Sequence, residues 1–391
     1  MSEVNKRETP EAPKRASFLR RCVTLIAAVL GLAVCVQFLG TLAMSSGSRP
    51  QNTQTNVADV TIMDKYDMFM TNEISSALEG ILSIKKVYWL SDTDEVAPEP
   101  NPENYGVADS AAELGWLLEE AAELIGGQEM LFSTETPTWN KDKVYYYYDE
   151  TILVITWKQV INHCVHTISE VKIAHPSQFR RGLAGGEFGS DKQFVTTQMA
   201  KNVNAVVATS GDFYKFRRVG AIVYQGELRR FDGSSVDTCF IDEKGDLLFA
   251  YRGDLKTEEE ARKFVEDNGV RYSLAFGPIL VEDGKNVTPP TYPIGEINDV
   301  YSRAALCQMD ELHYLFVNST GEPKKGITNR QNIEDFAQNL VDMGVDRAYA
   351  LDGGQTTIIA MDGELISYPD YGTQRQISDI LYFATALPDG G

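Results

Sequence analysis

Two short turns join acid, glycine and hydroxyl in a way that could do chemistry. The first lies in Ala350-Leu-Asp-Gly-Gly-Gln-Thr-Thr357, after an apolar run through Tyr349. In a strand side chains alternate, so Tyr349 and Leu351 face one way and Ala350 and Asp352 the other. Asp352 is then delivered at the strand's mouth. Gly353 and Gly354 admit positive φ and let backbone N–H groups approach a ligand without a Cβ in between, and Gln355, Thr356 and Thr357 add polar groups. The plain alternative is an Asp-Gly hairpin turn. The second turn has the same design: Ala205-Val-Val-Ala-Thr-Ser-Gly-Asp-Phe-Tyr214 ends in Ser210, Gly211 and Asp212, with Lys215, Arg217 and Arg218 beyond. Two such carboxylates would suit acid/base work on a glycosidic bond. They would equally accept Ca²⁺ or Mg²⁺ through oxygen ligands, although no EF-hand spacing is present and a metal requirement stays open. Arg303 stands where Tyr301-Ser-Arg-Ala-Ala305 enters a strand. Its planar fork matches two phosphate oxygens, and the alternative is an exposed strand-end arginine.

The elements that would hold these residues follow from pattern. Short apolar runs at 144–148, 152–157, 165–173, 205–209, 221–224, 238–241 and 247–251 predict strands, with hairpin turns at Gln225-Gly226 and Lys244-Gly245-Asp246. Thr257-Glu-Glu-Glu260 is a capping box opening a helix that ends at Gly269. A helix over Asn332 to Met343 turns Ile333, Phe336, Leu340 and Val341 inward and stops at Gly344. A further helix starts at Ser110, carries Leu114, Leu117, Leu118, Ala121 and Ile125, and stops at Gly126-Gly127. Ala97 to Gly106, with three prolines among acids, reads as loop. The pattern indicates an α+β fold with a mixed or antiparallel sheet and flanking helices.

The N-terminal fifth differs. Val23 to Met44 is a run of 22 residues without a charge, long enough to span a bilayer. Lys14, Arg15, Arg20 and Arg21 precede it, which puts the N-terminus in the cytoplasm and the rest outside. An uncleaved anchor is expected rather than a signal peptide, whose apolar core runs only about 7 to 15 residues. The expected order is a basic tail over 1–22, the transmembrane helix 23–44, a linker over 45–57, a helical stalk and N-terminal region over 58–142, and a catalytic-type domain over 143–391. Oligomeric state is not readable.

Charge narrows the partners. The first 21 residues hold six Lys/Arg against three Asp/Glu, a net +3, so with -20 for the whole chain the remainder carries -23. Nucleic acid is excluded as an electrostatic partner, and an anionic substrate needs a local basic cluster. Cys22 and Cys35 fall in or beside the apolar run, leaving Cys164, Cys239 and Cys307, an odd number that forms no complete disulfide framework but leaves room for one bridge. His163-Cys-Val-His166 places its two imidazoles on opposite faces of a strand, which argues against zinc. His175, before a proline, reads as a turn residue.

Taken in order, these segments resemble the phosphodiester glycosidase family, including its exopolysaccharide-associated bacterial members. The blocks are His175-Pro-Ser-Gln-Phe-Arg180, Val207-Ala-Thr-Ser-Gly-Asp-Phe-Tyr214, Ala275-Phe-Gly-Pro-Ile-Leu-Val281, Arg303-Ala-Ala-Leu-Cys307, Ala350 to Thr357 and Gly372-Thr-Gln-Arg-Gln-Ile-Ser-Asp379. The resemblance covers roughly 150 to 387. The resemblance implies hydrolysis of a sugar 1-phosphodiester at the sugar side, on an envelope or exopolysaccharide glycan. By the same resemblance, Asp352, Asp212 and Arg303 are the catalytic candidates. Ser210, Gly211, Gly353, Gly354, Gln355, Thr356, Thr357 and Arg375 would bind substrate, Arg375 with Arg303 holding the phosphate. The family's asparagines are replaced by Ser210 and Ala350 and its third glycine by Gln355. Those departures leave open a catalytically altered relative that binds glycan or assists polysaccharide assembly, or a scaffold that oligomerises through its N-terminal helices.

Overall fold

The computed structural model describes residues 88–90, 96–134, 143–293, 299–322 and 331–388. Every described residue lies in one compact unit, within 84–391. The basic tail, the apolar run 23–44, the linker and residues 58–87 of the expected helical stalk and N-terminal region lie outside the described residues. No helix among those described is long and apolar enough to cross a membrane.

Three antiparallel sheets build the described part, with a small two-stranded ribbon (Tyr88–Trp89 with Leu387–Pro388) beside them. The largest has nine strands in the order Lys285–Asn286, Ile279–Glu282, Arg347–Leu351, Arg303–Asp310, His313–Thr320, Cys164–Ile173, Ile152–Ile161, Val144–Tyr148 and Tyr105–Ala108. A five-stranded sheet runs Glu364–Leu365, Ile359–Met361, Val207–Ser210, Asp379–Phe383 and Phe179–Leu183. A second five-stranded sheet runs Leu247–Ala250, Thr238–Asp242, Val270–Leu274, Gly220–Tyr224 and Glu227–Asp232. The strand Cys164–Ile173 is buried along its whole length, so both faces of the large sheet are covered at its centre. Aromatic rings join the layers: Phe383 stacks on Phe179 at 4.7 Å and meets Phe316 of the large sheet at 5.1 Å. Rings at these separations add to the apolar burial that drives the sheets together.

The helices follow their sequence signals. Ser110 accepts from the Glu113 amide and opens Ala111–Glu120, and Gly126 ends the next turn at φ 63°. Thr257 and Glu260 form the expected capping box of Glu258–Asp267. Asn332 caps Ile333–Asp342, whose Phe336, Ala337 and Leu340 are buried. The stretch expected as loop to Gly106 becomes a strand at Tyr105, because Tyr105–Ala108 pairs with Val144–Tyr148. The boundary expected between 142 and 143 thus falls between two paired strands. Cys164, Cys239 and Cys307 are all buried, and Cys239 and Cys307 are free thiols. His163 turns at φ 62° while His166 is buried against Gln331 Oε1 at 3.1 Å, its pKa pushed down to about 4 by burial.

Candidate active site

The Asp-Gly-Gly segment is not a hairpin. Arg347–Leu351 ends in the nine-stranded sheet, Gly354–Thr356 forms a 3₁₀ turn, and the next strand, Ile359–Met361, pairs with Val207–Ser210 in a different sheet. The segment is therefore a crossing between layers, and the chain must pass close to its neighbours there. Gly353 is extended (φ −105°, ψ −160°), and a Cβ on it would overlap the Ser302 carbonyl oxygen. Gly354 alone takes the left-handed conformation, at φ 67°, and its N–H donates to the Ser302 carbonyl at 3.0 Å. The Thr356 and Thr357 hydroxyls donate to the Gly353 and Gly354 carbonyls, each at 2.6 Å. Both threonines are buried and fix the loop instead of facing the cleft.

A cleft of about 270 Å³ opens at this crossing. Of the expected residues it brings together Arg303, Asp352, Gly353, Gly354, Gln355 and Arg375. The Asp352 carboxylate is 15% exposed and paired with Arg375 Nη2. Burial raises its pKa, and Arg375 is the first influence opposing that rise. The Arg375 guanidinium, 38% exposed, lies 5.1 Å from the Phe213 ring centre. Arg303 donates from Nε to the Gln331 carbonyl at 3.2 Å and from Nη2 to the Asp299 carbonyl at 2.6 Å. Gln355 Nε2 donates to Thr373 Oγ1 at 3.1 Å, tying the crossing to the loop that carries Arg375.

Asp212, Ser210 and Gly211 stand behind this cleft, outside its lining. The Asp212 side chain is 0% exposed. Its Oδ1 accepts from the Tyr214 amide at 2.7 Å and from Arg181 Nη2 at 3.1 Å, and its Oδ2 accepts from the Ala275 amide at 2.8 Å. Asp212 thereby pins the segment leading to Phe276, which does line the cleft. Arg181 also reaches Asp379 Oδ2, from Nη2 at 2.8 Å and Nε at 2.9 Å. A Cβ on Gly211 would overlap that same Asp379 oxygen, which explains the glycine. The Ser210 hydroxyl is buried against Thr196 Oγ1 at 3.0 Å.

Several lining residues escaped the sequence reading. Asp370, held by the Ser302 hydroxyl at 2.7 Å, brings a second carboxylate, and Tyr301, Phe276 and Tyr371 bring rings. Tyr371 is 83% exposed and sits in the left-handed region at φ 59°, which costs a non-glycine residue about 1–2 kcal/mol. The available signal was Pro369-Asp370-Tyr371-Gly372, a turn-forming cluster a few residues before Arg375. Arg181 was equally legible as the residue following the His175 block.

The donor set does not suit a hard cation. Asp352 and Asp212 are each paired with a guanidinium, so neither turn offers the excess of anionic oxygen that Ca²⁺ or Mg²⁺ collects. Among the described residues no three His, Cys, Asp or Glu side chains group as metal ligands.

Comparison with known proteins agrees with the ordered blocks. Residues 203–384 match the family model described as phosphodiester glycosidase. Among solved structures, the chain is similar to the catalytic domain of zebrafish N-acetylglucosamine-1-phosphodiester alpha-N-acetylglucosaminidase auto-inhibited by its pro-peptide, at 20% identity and a TM-score of 0.47, over 60% of this chain and 83% of that one. It is also similar to a hypothetical protein from Synechocystis, at 15% identity and a TM-score of 0.46, over 61% and 63% of the two chains. No curated protein matches it by sequence.

Proposed function

We propose, from the phosphodiester glycosidase match over residues 203–384, that the protein is a hydrolase that cleaves a sugar 1-phosphodiester at the sugar carbon. The observation that carries this reading is the meeting of Asp352, Arg375 and Arg303 in one cleft. Breaking C1–O expels a phosphate monoester, whose growing negative charge needs a positioned cation more than a proton donor. Arg375 and Arg303 supply that charge, and Arg375 can do so with a planar fork. Asp352 serves the carbon side, where positive charge builds at C1 in the transition state. As base it takes a proton from the attacking water; as nucleophile it forms a glycosyl ester that water then opens.

The apolar run 23–44 behind a basic tail supports an anchored enzyme with its domain outside the cytoplasm. An envelope or exopolysaccharide glycan is the substrate that such a position favours.

The test is hydrolysis of a sugar 1-phosphodiester by the full-length protein, followed by proton NMR. Release of free sugar and a phosphate monoester is expected, and the first anomer formed separates direct water attack from a covalent intermediate. Release of sugar 1-phosphate instead would place the cleavage at phosphorus and overturn the reading.

A further inference from the structure

Arg375 is the wall between two clefts. One is the cleft of Asp352. The other, more open and about 370 Å³, is lined by Gln193, Phe213, Phe216, Arg375 and Gln376. A phosphodiester has two sides, and a cation that holds the phosphate must have one substituent on each side of it. If the sugar carbon lies by Asp352, the departing alcohol lies toward Phe213 and Phe216.

We infer that this second cleft is the leaving-group subsite and that it takes an alcohol carrying a ring with a face to stack, the C–H face of a pyranose or the base of a nucleoside, in preference to a polyol or an acyl chain. The inference rests on the hydrolase reading for its orientation. The rings of Phe213 and Phe216 stack at 4.7 Å and 29°, and Phe216 is 47% exposed. Two cations lie against this pair, with Arg375 Cζ 5.1 Å and Arg217 Cζ 5.8 Å from the Phe213 ring centre. A stacked aromatic pair with one exposed ring is a platform for another ring. The bridge between Phe194 and Ile377 sets Gln193 and Gln376 beside it, and a side-chain amide offers both donors and an acceptor to groups on a ring's edge. No carboxylate lines this cleft, in a chain of net charge −20. A polyol phosphate chain would ask for successive cations, and an acyl chain for a closed apolar channel. Neither is present in the lining.

The experiment is titration calorimetry of the full-length protein with a hexose 6-phosphate, a nucleoside 5′-monophosphate and glycerol 3-phosphate. At least one ring phosphate should bind about tenfold more tightly than glycerol 3-phosphate, and the tighter of the two identifies the ring. Phe216→Ala should reduce that advantage to within about twofold while glycerol 3-phosphate binding, read by Arg375, stays in place; Phe216→Tyr should restore it. Ring phosphates that bind no better than glycerol 3-phosphate, or an advantage that survives Phe216→Ala, overturn the subsite. Diester turnover is followed separately: ring-phosphate binding without turnover removes the hydrolase reading alone, and turnover without a ring preference removes the subsite alone.

Discussion

Asp212 and Asp379 share a single guanidinium, with Arg181 Nη2 lying 3.1 Å from Asp212 Oδ1 and 2.8 Å from Asp379 Oδ2. One cation cannot neutralise two buried anions. Burial pushes Asp379 up to about 7, opposed by Arg181 and reinforced by Asp212. A carboxyl whose folded pKa lies above its unfolded value binds its proton more tightly when native. Its stabilising contribution is therefore complete below about pH 4 and fades as pH rises through about 7. Thermal melts of the wild type should show this loss across that window, and Asp379→Asn should flatten it. An unchanged pH slope in the variant would show that Asp379 is already ionised throughout.

Asp352 shows the opposition between stability and chemistry. Its carboxylate is held where burial disfavours charge, so replacing it by a neutral amide should cost the fold nothing and raise the melting temperature by a few degrees. Hydrolysis should fall by a factor of about 10³ or more if Asp352 faces the sugar carbon as proposed. Turnover and melting measured on the same Asp352→Asn preparation check both halves.

Arg375 is the first influence that keeps the Asp352 pKa from rising further. In Arg375→Gln the Asp352 pKa should climb, and activity that needs its ionised form should begin at higher pH. The acidic limb of the kcat/KM profile is expected to move to higher pH, with KM raised if Arg375 holds the phosphate as proposed. Arg375→Lys keeps the charge but not the fork, so it should keep the limb and still raise KM. A limb that stays in place in Arg375→Gln would show that Asp352 is not the group titrating.

What the sequence disclosed and what it withheld divide along a physical line. Turn chemistry is local, so the acids and glycines of Ser210-Gly-Asp212 and Asp352-Gly-Gly354 stand out from neighbouring residues alone, as do the caps at Ser110, Thr257 and Asn332. Pairing between distant segments is not local. The Asp352 crossing reads as a hairpin until Ile359–Met361 is seen to join Val207–Ser210 in another sheet. Arg181 and Asp379 are 198 residues apart and lie in fully buried strands, where a charged residue carries no apolar signal and its partner decides everything. Asp370 and Tyr371 sit in a single 3₁₀ turn, too short for any periodicity. The position of Asp352 was therefore legible, whereas the support that leaves Asp212 behind the cleft was not.

Gly353 gives the last prediction. Its need is for space, since its backbone is extended and a Cβ would overlap the Ser302 carbonyl oxygen. That oxygen is main chain, accepts from the Gly354 amide at 3.0 Å, and precedes Arg303, so it cannot swing aside as a long side chain would. Gly353→Ala should destabilise the domain by about 1–3 kcal/mol and should lower activity more than stability, because the strain falls between Asp352 and Arg303. Gly226→Ala is the matched control. It sits at φ 80° with open space around its Cβ position, so it should cost about 1 kcal/mol and leave turnover unchanged. Denaturant midpoints and turnover for the pair decide it, and equal losses of activity in both would show that the crossing has no special role.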